Sequence, residues 1–309
     1  MKELIYQENF RIPESTCVTI GKFDGLHIGH RRLISEMRKT GLPVLVLSVC
    51  FADAREILTA SEQEALLTEL GVDYPVRLPM SETIQSMSPE RFVTDILLRD
   101  CRAKSVVVGE NFRFGYNRSG DVALLRTLCI EAGVSCTVLP LSEELGETVS
   151  STRIRQALND GDIPLLNRLL GYAYPVSGIV QKGRQIGRQL NFPTVNLCPP
   201  EEKLLPPFGV YRTVCRIGEQ IYASVTNVGN NPTVRDGTEH SVTVETHIPG
   251  FDRDVYGGFA TVSFYEKLRD QVQFDSLESL QKQLVRDTEA ATAGVSVKDV
   301  QVFPAFFEK

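Results

Sequence analysis

Two of the chain's four histidines bracket Ile28-Gly29 in the run Gly21-Lys22-Phe23-Asp24-Gly25-Leu26-His27-Ile28-Gly29-His30. Residues 17–20 before it are apolar and read as a buried strand, while Leu33, Ile34 and Met37 after it keep helical spacing. A strand, a glycine turn and a helix mouth make an anion site. The first helical N–H groups point at the ligand, and the helix dipole favours negative charge there. An imidazole at that mouth can donate to a phosphate oxygen as charge develops on it during transfer. The competing reading is that His27 and His30 only cap a helix and satisfy local hydrogen bonds.

Two further segments in the first half suit a nucleotide. Asn111, Phe112, Arg113 and Phe114 open a glycine-rich loop directly after an apolar strand pattern at 105–109. Its rings can stack on a flat ligand and its arginines can donate to phosphate. By itself the loop reads equally well as ordinary surface. Ser151, Thr152 and Arg155 stand where a helical pattern begins, so hydroxyls and a guanidinium meet at a helix start. Ser and Thr cap helices of every kind, so this signal is weak by itself.

The second half carries a different set. Gly187 and Arg188 precede a short strand pattern in which Thr194 and Asn196 face one side, Val195 and Leu197 the other. A hydroxyl beside an amide suits oxygen ligation of Mg2+ on a phosphate. In 242–248, Val242, Val244 and Ile248 alternate with Thr243, Glu245 and His247. A carboxylate on a strand at a cleft can take the proton from an attacking hydroxyl. Most carboxylates in such a place are merely solvated.

These residues need elements to hold them. The first half alternates continuous apolar runs (44–49, 105–109, 134–139) with helical stretches (64–70, 89–98, 124–132, 152–158) and a short helix at 162–170. That pattern predicts an α/β domain with a doubly wound parallel sheet, whose ligands bind at the carboxyl ends of its strands. From about Tyr174 the strands become short and alternating (210–217, 221–228, 242–248), with a hairpin turn at Gly218-Glu219. This predicts a C-terminal antiparallel β-barrel. A terminal helix follows over 276–290, with Ser276 as N-cap and Leu277, Leu280 and Leu284 on one stripe. The boundary is expected at 171–175, giving domains 1–172 and 173–309.

Composition narrows the classes. The chain has 309 residues, 42% hydrophobic and 23% charged, with a net charge of −6 and no basic block. That suits two globular domains and argues against a general nucleic-acid or membrane-surface binder. The first residues show no secretory pattern, and no apolar run reaches membrane-spanning length. Seven scattered cysteines without a C-x-x-C pair suit a cytoplasmic protein with reduced thiols.

Taken together, the motifs resemble the bacterial bifunctional riboflavin kinase/FMN adenylyltransferase (FAD synthetase) family. The G-x-F-D-G-x-H-x-G-H loop, the V-G-x-x-F-R-F-G loop and the S-S-T-x-I-R helix start occur here in the family's order. Downstream, 187–197, 209–211, 227–233 and 244–257 resemble the riboflavin kinase signature. The resemblance runs from about Gly21 to Asp287.

It implies a Rossmann-like nucleotidyltransferase domain over 1–172 that adenylylates FMN with ATP, and a riboflavin kinase domain over 173–309 that makes FMN. His27 and His30 would then stabilise the α-phosphoryl transition state. Gly21, Phe23, Asp24, Gly29, Ser151, Thr152 and Arg155 would bind nucleotide, and Asn111, Phe112, Arg113 and Phe114 the flavin. In the kinase, Glu245 would be the general base, with Gly187, Arg188, Thr194 and Asn196 at Mg·ATP, Thr194 and Asn196 as metal ligands, and Arg269 near the flavin. Riboflavin, FMN and ATP are the implied partners, with Mg2+ or another divalent cation. One segment departs: Phe51-Ala52-Asp53-Ala54-Arg55-Glu56 stands where the family usually has F-x-P-H-P. That departure keeps open a monofunctional riboflavin kinase with an inactive N-terminal domain. A flavin- or nucleotide-binding protein without chemistry is a third reading.

Overall fold

A computed structural model describes residues 4–51, 55–183, 192–230, 242–293 and Phe303. The chain divides into two compact units, Met1–Ser151 and Thr152–Lys309.

The first unit is built on six strands: β1 (Leu4–Ile5), β2 (Thr16–Gly21), β3 (Val44–Cys50), β4 (Tyr74–Pro79), β5 (Ala103–Gly109) and β6 (Ser135–Leu139). They form one sheet in the order β1-β4-β3-β2-β5-β6, with every pairing parallel. Val44, Leu45, Val46 and Leu47 are all buried, as a strand covered on both faces requires. The chain leaves β2 toward β3 and β4 on one side, then returns to β5 and β6 on the other. The strand order therefore reverses between β2 and β5. The loops after Gly21 and Gly109 part there and open a crevice.

Helices connect the strands: α1 (Ile28–Arg38), α2 (Ala60–Glu69), the short α3 (Glu82–Gln85) and α4 (Pro89–Arg91), and α5 (Val122–Glu131). The helix expected from residue 64 begins at Ala60, because Thr59 and Glu62 form a reciprocal capping box. The helix expected over 89–98 is capped by Ser88 with Pro89 in its first turn, then continues as a π-helix over Phe92–Asp100. Its wider turns still bury Phe92, Val93, Ile96 and Leu97.

In the second unit, α6 (Ser151–Asp160) continues from the last residue of the first. α7 (Ile163–Leu170) is capped by Asp162 and closed by left-handed Gly171. Six antiparallel strands follow, numbered on from a small hairpin in the first unit, β7 (Glu143–Glu144) and β8 (Glu147–Thr148). They are β9 (Tyr174–Gln181), β10 (Thr194–Leu197), β11 (Gly209–Ile217), β12 (Gln220–Asn230), β13 (Val242–His247) and β14 (Phe259–Arg269). They close a barrel in the order β10-β13-β12-β11-β14-β9.

The barrel interior is not wholly apolar. Thr213, Ser224, Thr226 and Thr246 meet inside it in a chain of hydroxyl hydrogen bonds of 2.7–2.9 Å. Each hydroxyl finds a partner, so burial leaves none of the four orphaned. The last helix, α8 (Leu277–Thr292), is capped by Ser276 and packs on the outer face of β11 and β12. Leu277 departs from the expected stripe: as the first helical residue it is 64% exposed. Leu280 and Leu284 do face the barrel.

Candidate active sites

The first site is the crevice at the reversal of strand order. It is a cleft of about 450 Å³ whose lining includes Gly21, Phe23, His27, Gly29, His30, Asn111, Phe112, Arg113, Phe114 and Ser151. Three segments far apart in sequence thus meet in one place. Asp24 stands behind the cleft as a tie: its Oδ1 accepts from the Ile57 N–H at 2.9 Å, and its carbonyl accepts from Ser151 Oγ at 3.4 Å. Thr152 and Arg155 lie further along α6, in the second unit.

The turn between β2 and α1 is tightly wound. Gly25, but also Phe23 and Leu26, take positive φ values of 82°, 46° and 38°. Side chains resist that conformation. Complete burial of Phe23 and Leu26 in the core holds the turn closed against it. His27 is the N-cap residue of α1, yet its side chain makes no capping bond. The rings of His27 and His30 stack at 3.7 Å, and Phe23 lies 4.7 Å from His30. Nδ1 of each imidazole is buried without a partner among the described residues. Gly29 permits this packing, since a Cβ there would come within 3.1 Å of the His27 ring.

Burial pushes the His27 pKa down to about 4 against the raising influence of the Asp24 carboxylate. Burial, then the neighbouring His27, pushes His30 well below the ordinary histidine value. Both rings are therefore neutral at pH 7, with one N–H to donate and one lone pair to accept. This is the state suited to hydrogen-bonding a phosphoryl group rather than forming a fixed ion pair.

The loop after β5 supplies the aromatic wall. Phe112 and Phe114 stack in near-parallel planes at 5.4 Å, and Phe114 packs on Phe92 at 5.9 Å. Phe114 is buried, so it anchors the wall, while half-buried Phe112 presents its surface. Arg113 pairs with Asp121 at 3.4 Å. Asn111 reaches back over Gly109, where a Cβ would stand 3.3 Å from Asn111 Oδ1.

The second site lies on the outer face of the barrel. Register places Asn196, Glu245 and Asn227 side by side on β10, β13 and β12, and Thr194, His247 and Val225 in the next row. Glu245 therefore stands between two amides on the face away from the core. With Thr194, His247, Asn227 and Arg269 it lines a cleft of about 320 Å³ whose other walls include Phe192, Phe274, Leu280 and Leu284. Asn227 is missed by reasoning from strand alternation in β13 alone. Its signal is the cross-strand register, which needs the fold.

His247 Nδ1 lies 2.9 Å from the Pro193 carbonyl, and its ring packs on Phe192 at 5.0 Å. Burial lowers its pKa, outweighing that hydrogen bond. Arg269 lines the same cleft but is held by the carboxylate of Asp287 on α8, at 3.0 Å from Nε to Oδ1 and 2.5 Å from Nη2 to Oδ2. Gln283 donates to the same carboxylate at 2.8 Å. Asp287 lies 18 positions from Arg269, and no local pattern marks the pair.

Thr194 also lines a second cleft of about 290 Å³, together with Asn196 and with Phe251, Arg253, Asp254 and Tyr256. Asn196 Nδ2 donates to the Thr194 carbonyl at 3.1 Å and to Thr194 Oγ1 at 3.3 Å, which commits the amide nitrogen. A Cβ on Gly183 would fall 2.8 Å from the Asn196 side chain, so only glycine leaves that amide its place. The two clefts share Thr194. Gly187 and Arg188 lie outside the described residues.

Comparison with known proteins gives one answer for both halves. The family model for FAD synthetase matches residues 9–153, and that for riboflavin kinase matches 170–295. A bifunctional riboflavin kinase/FMN adenylyltransferase of Escherichia coli is 35% identical over 89% of this chain and 91% of its own. One from Pseudomonas fluorescens is 34% identical over 92% and 95%. A crystal structure of a protein from Streptococcus pneumoniae, titled a macrolide-efflux protein, matches with a TM-score of 0.83 at 29% identity, over 94% of this chain and 97% of that one. Among the described residues no helix is long and apolar enough to cross a membrane.

Proposed function

The chain belongs to the bifunctional riboflavin kinase/FMN adenylyltransferase family, and we propose that it performs both reactions, riboflavin to FMN in residues 173–309 and FMN to FAD in residues 1–172. The observation that carries the reading is the assembly of two separate phosphate-suited sites, one in each half.

In the kinase, the apolar cleft with Phe192, Phe274, Leu280 and Leu284 takes the flavin ring, and the cleft on the other side of Thr194 and Asn196 takes ATP. Glu245 lines the flavin cleft and is paired in register with Asn196, which lines the other. Its carboxylate takes the proton of the flavin's terminal ribityl hydroxyl as that oxygen attacks the γ-phosphorus, and ADP leaves. Thr194 Oγ1 and Asn196 Oδ1 are the oxygens that fit Mg2+, two neutral donors of the kind that leave most of its coordination to phosphates and water. Bound there, the ion would neutralise phosphate charge. Arg269, held by Asp287, fixes the flavin wall through α8.

In the adenylyltransferase, an FMN phosphate oxygen attacks the α-phosphorus of ATP, and pyrophosphate leaves with the bridging electron pair. Neutral His27 and His30 donate to the phosphoryl oxygens as charge builds on them. Gly21, Gly29 and Ser151 give the phosphates room and a hydroxyl, Phe112 stacks on the flavin with Asn111 and Arg113 beside it, and Phe114 and Phe23 hold the walls. Asp24 acts through the turn rather than on the ligand. Thr152 and Arg155 supply further donors to the triphosphate.

Product analysis tests the whole reading. Purified protein with riboflavin, ATP and Mg2+ yields FMN first and FAD after it. FMN without FAD, across several divalent metals, would instead support the monofunctional alternative suggested by the altered 51–56 segment.

A further inference from the structure

The adenylyltransferase cleft is built to receive a highly charged ligand, yet its two central histidines are neutral. Its positive charge must come from elsewhere. Four basic side chains line it: Lys22, Arg32, Arg113 and Arg118. Arg113 is engaged by Asp121. Arg32 projects from an exposed position on α1, and Arg118 stands in a left-handed turn of the loop after β5. Lys22 differs from all three. It is the first residue after β2, at the strand-order reversal, and it leads directly into the His27–His30 turn.

Lys22 also has a defined position. Its Nζ lies over the Phe51 ring, 5.0 Å from the centroid. Phe51 follows the last residue of β3, so the contact bridges the carboxyl ends of two neighbouring strands. The ring is 46% exposed and also lines the cleft. A cation on an aromatic face keeps its charge and most of its hydrogen-bonding capacity for another partner. No carboxylate pairs with Lys22 among the described residues. Phe51 opens the segment in which this chain lacks the Pro-His-Pro expected from the resemblance.

We propose that Lys22, perched on Phe51, is a phosphate-binding cation of the adenylyl-transfer site. The assignment rests on the adenylyltransferase reading above. In the step itself, the bond from the FMN phosphate oxygen to the α-phosphorus forms, and the bond from that phosphorus to the bridging oxygen breaks. The electron pair leaves on pyrophosphate. The Lys22 ammonium neutralises phosphate charge during this exchange and neither gains nor loses a proton. It can engage either the ATP chain or the FMN phosphate, and kinetics separate the two.

The test compares Lys22→Met, Lys22→Arg and Phe51→Leu with the wild-type chain, following FMN and FAD formation in the same preparation. Lys22→Met retains an apolar stem over the ring and removes only the charge, so a packing role leaves it nearly unchanged. The expected result is a fall of about tenfold or more in kcat/KM for FAD formation, substantial recovery in Lys22→Arg, and an intermediate loss in Phe51→Leu. FMN formation stays at the wild-type rate, and the thermal unfolding profile of the whole chain is unchanged, which reports that the unit carrying Lys22 is folded. A rise in KM for ATP alone assigns Lys22 to the ATP chain, and a rise for FMN alone assigns it to the flavin phosphate. The dependence of that KM on ionic strength is shallower in Lys22→Met, since one screened attraction is gone. FAD formation by Lys22→Met within twofold of wild type overturns the assignment while leaving the adenylyltransferase reading intact. A wild-type chain that makes FMN but no FAD overturns both.

Discussion

Glu245 is the residue on which the kinase reading turns, and its surroundings say what its loss does. It stands in register between Asn196 and Asn227, and Gln has nearly the same size and shape. Glu245→Gln therefore removes proton acceptance without disturbing the strand, and FMN formation is expected to fall by about 10²–10⁴-fold while riboflavin still binds. Fluorescence titration of riboflavin against the variant, beside its turnover, checks both halves. His30→Ala is expected to remove FAD formation and spare FMN formation. Equal loss of both products would refute the separation of roles.

The same buried histidines set a pH dependence. His27 has its folded pKa lowered from the ordinary 6.5 to about 4, and burial lowers His30 and His247 too. Below about pH 6.5 the unfolded chain binds protons that the folded chain refuses. Stability is thus complete above that pH and is lost as pH falls toward 4. His27 alone accounts for up to about 3 kcal/mol across this window. Urea unfolding between pH 7.5 and 4.5 measures it, and His27→Gln is expected to flatten the profile. A profile unchanged by that substitution would contradict the burial effect.

At the scale of elements, an ion pair ties α8 to the barrel. Asp287 is 5% exposed and meets Arg269 in two-pronged fashion, with Gln283 alongside. Removing Asp287 leaves the half-buried Arg269 guanidinium without its carboxylate partner, at a cost of about 1–3 kcal/mol. Asp287→Asn is accordingly expected to lower Tm and to raise KM for riboflavin more than it lowers kcat, because the wall moves and Glu245 does not. Calorimetry and kinase kinetics on the variant check this. A lowered kcat with unchanged KM would place the pair in the chemistry instead. A smaller element tests a cap: Thr59→Ala removes half of the capping box of α2 and is expected to cost about 1 kcal/mol of stability.

At the scale of the molecule, the His27–His30 cleft and the Glu245 cleft lie in different compact units. Substitutions at His30 and Glu245 are therefore expected to act independently. A mixture of the two single variants should make FAD from riboflavin, since one supplies FMN and the other consumes it. Failure of that complementation, with each single activity intact, would show that FMN does not pass freely between chains.

Much of this was legible in the chain because its signals are local and periodic. Continuous apolar runs announced β2, β3 and β5, alternation announced β11 to β13, and Ser276 announced a helix start. The loops after β5 and at the start of α6 were weak signals by themselves, and their order along the chain carried the family resemblance. Local sequence could not show that Phe92–Asp100 winds as a π-helix, that Thr246 faces inward to join a hydroxyl chain, or that Asp24 is spent holding Ile57. Nor could it pair Arg269 with Asp287, set Asn227 beside Glu245, or rest Lys22 on Phe51. The reason is physical. Propensity, capping and alternation act over a few residues and are written in the sequence itself. Burial, register and charge pairing join residues tens of positions apart, and only the closed sheet and barrel bring those residues within bonding distance.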